Sequence, residues 1–174
     1  MPTAPSATQT RSPRRAVCAL AIAACLIVPV GCDRGDHPDR IGTPAPEFSV
    51  SDGVRSADLA QFRGHIVIVN FWATWCAPCI EELPSLLAMQ RRLPRVTVVA
   101  IGQDEDPEIY NAFLQRYRVD LLTVRDPSGR VPALYGTKKI PESYVIDRDG
   151  ILRRKFVSAQ NWTSPEILDY LSKL

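Results

Sequence analysis

Beyond residue 40, Ile66-Val67-Ile68-Val69 puts four apolar β-branched side chains in a row. An unbroken run of this kind predicts a strand covered on both faces, from His65 to Phe71. The period then lengthens. Leu83, Leu86, Leu87 and Leu93 recur at helical spacing and predict a helix from Cys76 to Arg92, with Pro78 in its first turn and Pro84 kinking its middle. Arg95–Ile101 repeats the strand pattern, and Asp106-Pro107-Glu108 caps a further helix to Tyr117. A strand at Leu121–Val124, a turn at Asp126–Gly129 and a short helix at Val131–Tyr135 follow. A hairpin is expected where Ser143–Asp147 and Ile151–Val157 flank Arg148-Asp149-Gly150, and Ser164-Pro165-Glu166 opens a terminal helix to Leu174. Ahead of all this, Ile41–Val50 is held extended by its prolines, Asp52-Gly53 turns, and a short helix lies near Asp58–Phe62. Strands alternating with helices and closing on a hairpin make an α/β sandwich around a mixed sheet, without internal repeats.

The first forty residues follow a different pattern. A Pro/Ser/Thr/Ala-rich start, a basic cluster at Arg11, Arg14 and Arg15 and an apolar run from Ala16 to Val30 have the layout of a secretory signal, too short to span a bilayer comfortably. Val30-Gly31-Cys32 resembles a bacterial lipoprotein processing site, in which Cys32 becomes acylated and N-terminal. The expected organisation is a signal peptide over 1–31, a charged, Gly/Pro-containing spacer over 32–40 and one domain over 41–174. Cleavage changes the charge balance, because losing three arginines leaves 18 bases against 19 acids, a net −1 in place of +2. The basicity belongs to targeting, and nothing points to nucleic acid.

The chemistry concentrates where the first strand meets its helix, at Trp75-Cys76-Ala77-Pro78-Cys79. Unpaired N–H groups and the helix dipole favour negative charge there, so Cys76 is expected to hold a thiolate with a pKa lowered into the range of roughly 3.5–7.5. Cys79 stands one turn further on and can close a disulfide onto Cys76. Structural zinc would need four ligands, and no second pair supplies them. A purely structural disulfide between such close neighbours closes almost no loop and stabilises little. Of the five cysteines, Cys18 and Cys25 fall in the leader and Cys32 at its boundary, which leaves this one pair in the domain. His37 and His65 have no clustered ligand residues around them. The reading from the residues is a switchable dithiol with no other cofactor and no metal.

Four stretches together resemble the TlpA/ResA/CcmG-like group of membrane-anchored thiol-disulfide oxidoreductases in the thioredoxin superfamily. They are Gly42–Phe48, Asn70–Cys79 with Glu82 and Pro84, Tyr135-Gly136 to Ile140-Pro141, and Ser143–Asp147. The resemblance implies a thioredoxin-like fold with an N-terminal extension and a central helical insert around Gln103–Tyr117. It makes Cys76 the nucleophile and Cys79 the resolving thiol. Ile140-Pro141 falls at the family's cis-proline, which presents backbone to the partner chain, and Trp75 joins the substrate-binding surface. Trp72 and Trp75 are expected to shield the dithiol, and Trp162 to pack. Glu82 matches an acid that tunes proton transfer in ResA-like proteins; an ordinary acid in the first turns of a helix is the alternative reading. On either reading a Gln in its place is expected to leave folding stability little changed. Thioredoxin has a buried aspartate where Asn70 stands here. Glu142 departs from the Thr usual after the proline in TlpA- and ResA-like chains and is closer to the CcmG-like form.

The implied reaction is reduction of disulfides in extracytoplasmic partner proteins, apocytochrome c among the candidates, by a lipid-anchored protein on the outer side of a bacterial membrane, recharged by a membrane thiol reductant. Two alternatives stay open at this point. One is a peroxiredoxin-like thiol peroxidase, and the other is a copper- or haem-delivery module that uses the dithiol as soft ligands.

Overall fold

A computed structural model describes residues 40–174 together with Met1 and Thr3. Residues 2 and 4–39, which hold the rest of the expected leader, Cys32 and the spacer before Arg40, therefore lie outside the described residues. Five strands form the central sheet in the order β5-β4-β3-β6-β7. They are β3 (Ile66–Trp72), β4 (Val96–Gly102), β5 (Leu122–Arg125), β6 (Glu142–Ile146) and β7 (Leu152–Val157). β4 runs parallel to β3, and β5 parallel to β4. β6 is antiparallel to β3, and β7 to β6, so the sheet is mixed as expected.

Both faces of β3 are covered. Ile66 and Ile68 enter one core with α1 (Ala77–Arg92), α2 (Pro107–Arg116) and α4 (Pro165–Ser172), represented by Leu86, Tyr110 and Leu171. Val67, Val69 and Phe71 enter the other, where they meet Phe48, Leu59, Val131 and Tyr135. That second face is roofed by a two-stranded hairpin of β1 (Ser49–Ser51) and β2 (Ser56–Asp58), a 3-10 turn at Leu59–Phe62, and α3 (Arg130–Tyr135). All seven positions are buried, which fits a strand that is apolar at every position but Asn70 rather than alternating.

Helix starts follow their caps. Asp106 accepts from the N–H groups of Glu108 and Ile109, Ser164 accepts from Ile167, and each cap precedes a proline in the first turn. α1 continues unbroken across Pro84. The expected helical segment at Gln103–Tyr117 is α2, and the strand expected at Leu121–Val124 is β5, at the edge of the sheet. β2 was not foreseen; Ser56-Ala57-Asp58 has no strand pattern of its own and is extended by its register with Ser49–Ser51. The proline-rich start is tied down by Gly42 N–H to Leu152 O at 2.8 Å and Ala45 N–H to Gly150 O at 2.9 Å.

Candidate active site

β3 delivers the chain to the site. After Trp72 it leaves the sheet, and Cys76 becomes the N-cap of α1 in extended backbone (φ −91°, ψ 100°). Its Sγ accepts the Cys79 N–H at 3.3 Å, and its carbonyl accepts the Ile80 N–H at 3.1 Å. A sulfur thus occupies the place usually taken by a capping oxygen, where orphan N–H groups and the dipole favour anionic charge. Cys76 and Cys79 are joined as a disulfide, with Cα atoms 5.3 Å apart. Both are sheltered, Cys76 being 6% exposed and Cys79 2%, so the asymmetry between them is one of helix position more than of access.

The loop before Cys76 is braced by the next strand's exit. Asp104, buried after β4, accepts the Thr74 N–H at 3.2 Å and the Thr74 hydroxyl. Gln103 N–H donates to Trp72 O at 2.9 Å, and Arg125 holds the Asp104 carbonyl at 3.1 Å. On the other side stands Pro141, preceded by a cis peptide bond from Ile140. The register of β6 pairs Glu142 with Phe71, which puts Pro141 level with Trp72 at the end of the sheet where the dithiol loop departs.

Glu82 is no surface acid. It is 3% exposed, and its carboxylate accepts from Asn70 Nδ2 at 2.9 Å, Gln160 N–H at 3.0 Å and Trp162 Nε1 at 3.2 Å. Burial pushes its pKa up, against the lowering effect of these three donors. Asn70 also donates to Ser143 Oγ at 2.9 Å, so one amide ties Glu82 to β6. Gln160 carried no signal in the sequence, because a loop residue reaching a helix 78 positions earlier has no local pattern. Trp162 was expected to pack, and it does so while also donating to Glu82. Asn70 entered the sequence reading only as the counterpart of thioredoxin's buried aspartate; in phase with Ile68 and Trp72, it faces the side of α1.

The two tryptophans do not form a joint shield. Trp72 is core, its ring 5.5 Å from Tyr110 and 5.6 Å from Phe113. Trp75 is 68% exposed beside Cys76, an apolar surface open to a partner. Glu142 is buried, accepts the Tyr144 hydroxyl at 2.9 Å and pairs with Lys155 at 3.2 Å. Among the described residues no group of three or more His, Cys, Asp or Glu is placed to hold a metal ion.

Comparison with known proteins fits this geometry. A family model for the AhpC/TSA family matches residues 41–155. The chain is 31% identical over 137 residues to the thiol-disulfide oxidoreductase ResA of Bacillus thuringiensis subsp. konkukian, covering 77% of this chain and 78% of that protein. It is 33% identical over 157 residues to the thiol:disulfide interchange protein DsbE of Pseudomonas aeruginosa, covering 83% and 85%. Among solved structures, a thioredoxin-family thiol:disulfide interchange protein from Chlorobium tepidum superposes with a TM-score of 0.63 at 30% identity, over 76% of this chain and 94% of that one. Sheet, caps and dithiol together define a thiol-disulfide oxidoreductase of the thioredoxin superfamily. Within it, the chain belongs to the ResA/DsbE-like group.

The burial of Glu82 alters what a Gln should do there. A Gln presents one oxygen and an NH2 group to three donors, leaving at least one of them without an acceptor, a loss of about 1–3 kcal/mol. The sign with pH follows from the raised pKa. Its contribution is fully present below the ordinary value of 4.5 and is lost as pH rises through the folded-state value. Glu82→Gln is therefore expected to destabilise most in acid, with the gap to wild type narrowing from pH 4.5 upward. Denaturant unfolding of both proteins across pH checks this, and a gap that widened with pH would contradict it.

Proposed function

We propose that the protein reduces disulfides of partner proteins outside the cytoplasm, with Cys76 as nucleophile, Cys79 as resolving thiol and Glu82 as proton acceptor. The observation that carries this reading is the placement of Cys76 at the N-cap of α1, with its sulfur already receiving a backbone N–H and Cys79 within disulfide reach. In the reduced state the Cys76 thiolate attacks one sulfur of the partner's disulfide. The partner's other sulfur leaves as a thiolate and takes up a proton. Cys79 gives its proton to Glu82, one turn along α1, and its sulfur attacks Cys76 Sγ. The mixed disulfide breaks, the partner leaves with both sulfurs reduced, and the pair Cys76–Cys79 is left oxidised. Two electrons have moved to the partner, and a thiol reductant at the membrane must return them for the next cycle. Exposed Trp75 and the backbone at Ile140-Pro141 form the surface on which the partner chain lies. The reading requires no cofactor besides the dithiol itself.

Two cysteine variants separate the roles. Cys76→Ser is expected to abolish disulfide reduction, and Cys79→Ser to accumulate mixed disulfides with native partners, visible on non-reducing gels. Equal trapping by both variants would reverse or dissolve the assignment.

Glu82 acts at the resolving step, so Glu82→Gln is expected to slow release of a reporter thiol from its mixed disulfide with Cys76 by about 10²-fold, in the range of general base catalysis. Stopped-flow release followed over pH measures it. An unchanged pH profile would confine Glu82 to a structural role.

The leader and Cys32 support delivery across the membrane and anchoring by acylation, with the partners then being extracytoplasmic disulfide proteins such as apocytochromes c. A triply acylated N-terminal cysteine exceeds the two anchoring signals that stable attachment needs. Cys32→Ala is expected to shift the protein from the membrane fraction to the soluble fraction, and unchanged fractionation would overturn the lipid anchor.

A further inference from the structure

One stripe of α1 leads away from the dithiol and is not used by the chemistry. Starting from Cys76 at the cap, Ile80, Pro84, Leu87 and Arg91 succeed one another at helical spacing, with Leu83 alongside. They form one wall of a groove of about 390 Å³. The opposite wall is the end of α2, where Tyr117 is 47% exposed and its ring stacks on Phe113 at 4.3 Å. That wall is set before any partner arrives, because Tyr117 N–H donates to Phe113 O and Val119 N–H to Leu114 O, while Arg118 takes a left-handed backbone (φ 51°) that turns the chain. Ile80, Leu83, Pro84 and Leu87 give it an apolar lining, and Arg91 and Arg118 line it too; Asp120, two residues past Arg118, lies 3.9 Å from Arg91, which brings the two arginines to the same end. Arg91 and Asp120 are both largely exposed, which leaves the pair of arginines with one acid between them.

We infer that this groove seats the stretch of the partner chain that continues from its reacting cysteine, and that it selects an extended segment with aliphatic side chains and an acidic residue at the arginine end. The inference rests on the reductase reading above. An apolar floor binds aliphatic groups without regard to sequence direction, and two arginines at one end add a charge preference. The spacing is set by the helix. From the Cys76 cap to Arg91 the helix rises about 22 Å at about 1.5 Å per residue. An extended chain covers that distance in roughly six to seven residues. The acid is therefore expected roughly six to seven positions from the partner's cysteine.

The test uses the full chain in detergent, reduced at Cys76 and Cys79, in single turnover. Its substrates are synthetic peptides whose one cysteine is disulfide-linked to a chromophoric thiol. The cysteine is followed by leucines and serines with Glu or Lys at the sixth or seventh position, and a mirror set places the same residues before the cysteine. The readout is the ratio of release rates for Glu and Lys peptides on one enzyme preparation, so any change in basal activity cancels. The wild type is expected to favour Glu about fivefold in one of the two sets, in the range of exposed ion pairs, and to lose that preference at high salt. Arg91→Glu with Arg118→Glu should invert the ratio, and Arg91→Lys with Arg118→Lys should keep its direction. A ratio near one in both sets for the wild type overturns the inference, as does an unchanged ratio in the charge-reversed protein. If a second copy filled the groove instead, the chain would form a concentration-dependent dimer with no peptide preference, and that also overturns it. A wild type that releases the chromophore from no peptide at all, nor reduces a small aromatic disulfide, fails the reductase reading itself.

Discussion

The structure depends on a single strand being dry on both sides. β3 is buried at every position, hydrogen-bonded to β4 on one edge and β6 on the other, and its side chains alternate between two separate cores. A slip of one residue would drive Asn70 into the core of Phe48 and Tyr135 and turn Phe71 toward Glu82, so the register cannot drift. The point at which the chain leaves the sheet is fixed by this, and with it the position of Cys76 at the head of α1. Asp104 and Gln103 then hold the four connecting residues from the parallel neighbour. A reactive sulfur is placed by the least reactive part of the protein.

Between β3 and α1 the same core gives up its apolar character. Asn70 and Glu82 face each other across the β3–α1 interface, and the loop at Gln160–Trp162 closes over them from the far end of the chain. Ser85 makes a second connection to that loop, accepting the Trp162 N–H at 3.1 Å and donating to Gln160 O at 3.2 Å. A carboxylate in such a place is costly without donors, and three are supplied. They do not fully offset desolvation, which is why its pKa stays raised. Burial thus favours the neutral form of Glu82 more than water would, while the three donors hold its oxygens in place. Thioredoxin-like chains with an aspartate on β3 would hold the proton in the strand. Here the strand offers an amide, and the acid sits on the helix.

Much of this could be read in advance. The order of strands and helices, the caps at Asp106 and Ser164 and the dithiol follow from local pattern, because each is decided by residues within a few positions of one another. The cis bond before Pro141 followed from family resemblance and not from the residues themselves. What escaped the sequence is what long-range contact creates. Ser56–Asp58 becomes a strand through a partner, and Trp72 and Trp75, three residues apart, have opposite fates. Trp72 continues the inward phase of β3, while Trp75 falls in the loop beyond it. The sequence left open whether Glu82 was the family's proton-transfer acid or an ordinary helix acid, and its burial was not legible because its three donors come from β3 and from a loop about eighty residues later.

Glu142 shows how a family departure is accommodated. A carboxylate directly after the cis-proline, buried and on the opposite side of the sheet from Glu82, would carry a large desolvation cost if left unpaired. Its neighbours neutralise it. Lys155 on the adjacent strand pairs with Oε2 at 3.2 Å, with both side chains under 5% exposed, and the Tyr144 hydroxyl donates to the same oxygen at 2.9 Å. The ammonium also lies 5.4 Å from the Tyr144 ring centre, where an aromatic face favours a cation. Breaking such a pair by removing one partner costs more than never having built it, since the remaining charge is stranded in the core. Positions 142 and 155 are therefore coupled, and a threonine after the proline would call for a different residue at 155. The Pro141 carbonyl is itself held by Ser158 N–H, at the end of the strand that carries Lys155. β7 thus secures the proline loop twice, once through the Ser158 N–H just past its end and once through the Lys155–Glu142 pair.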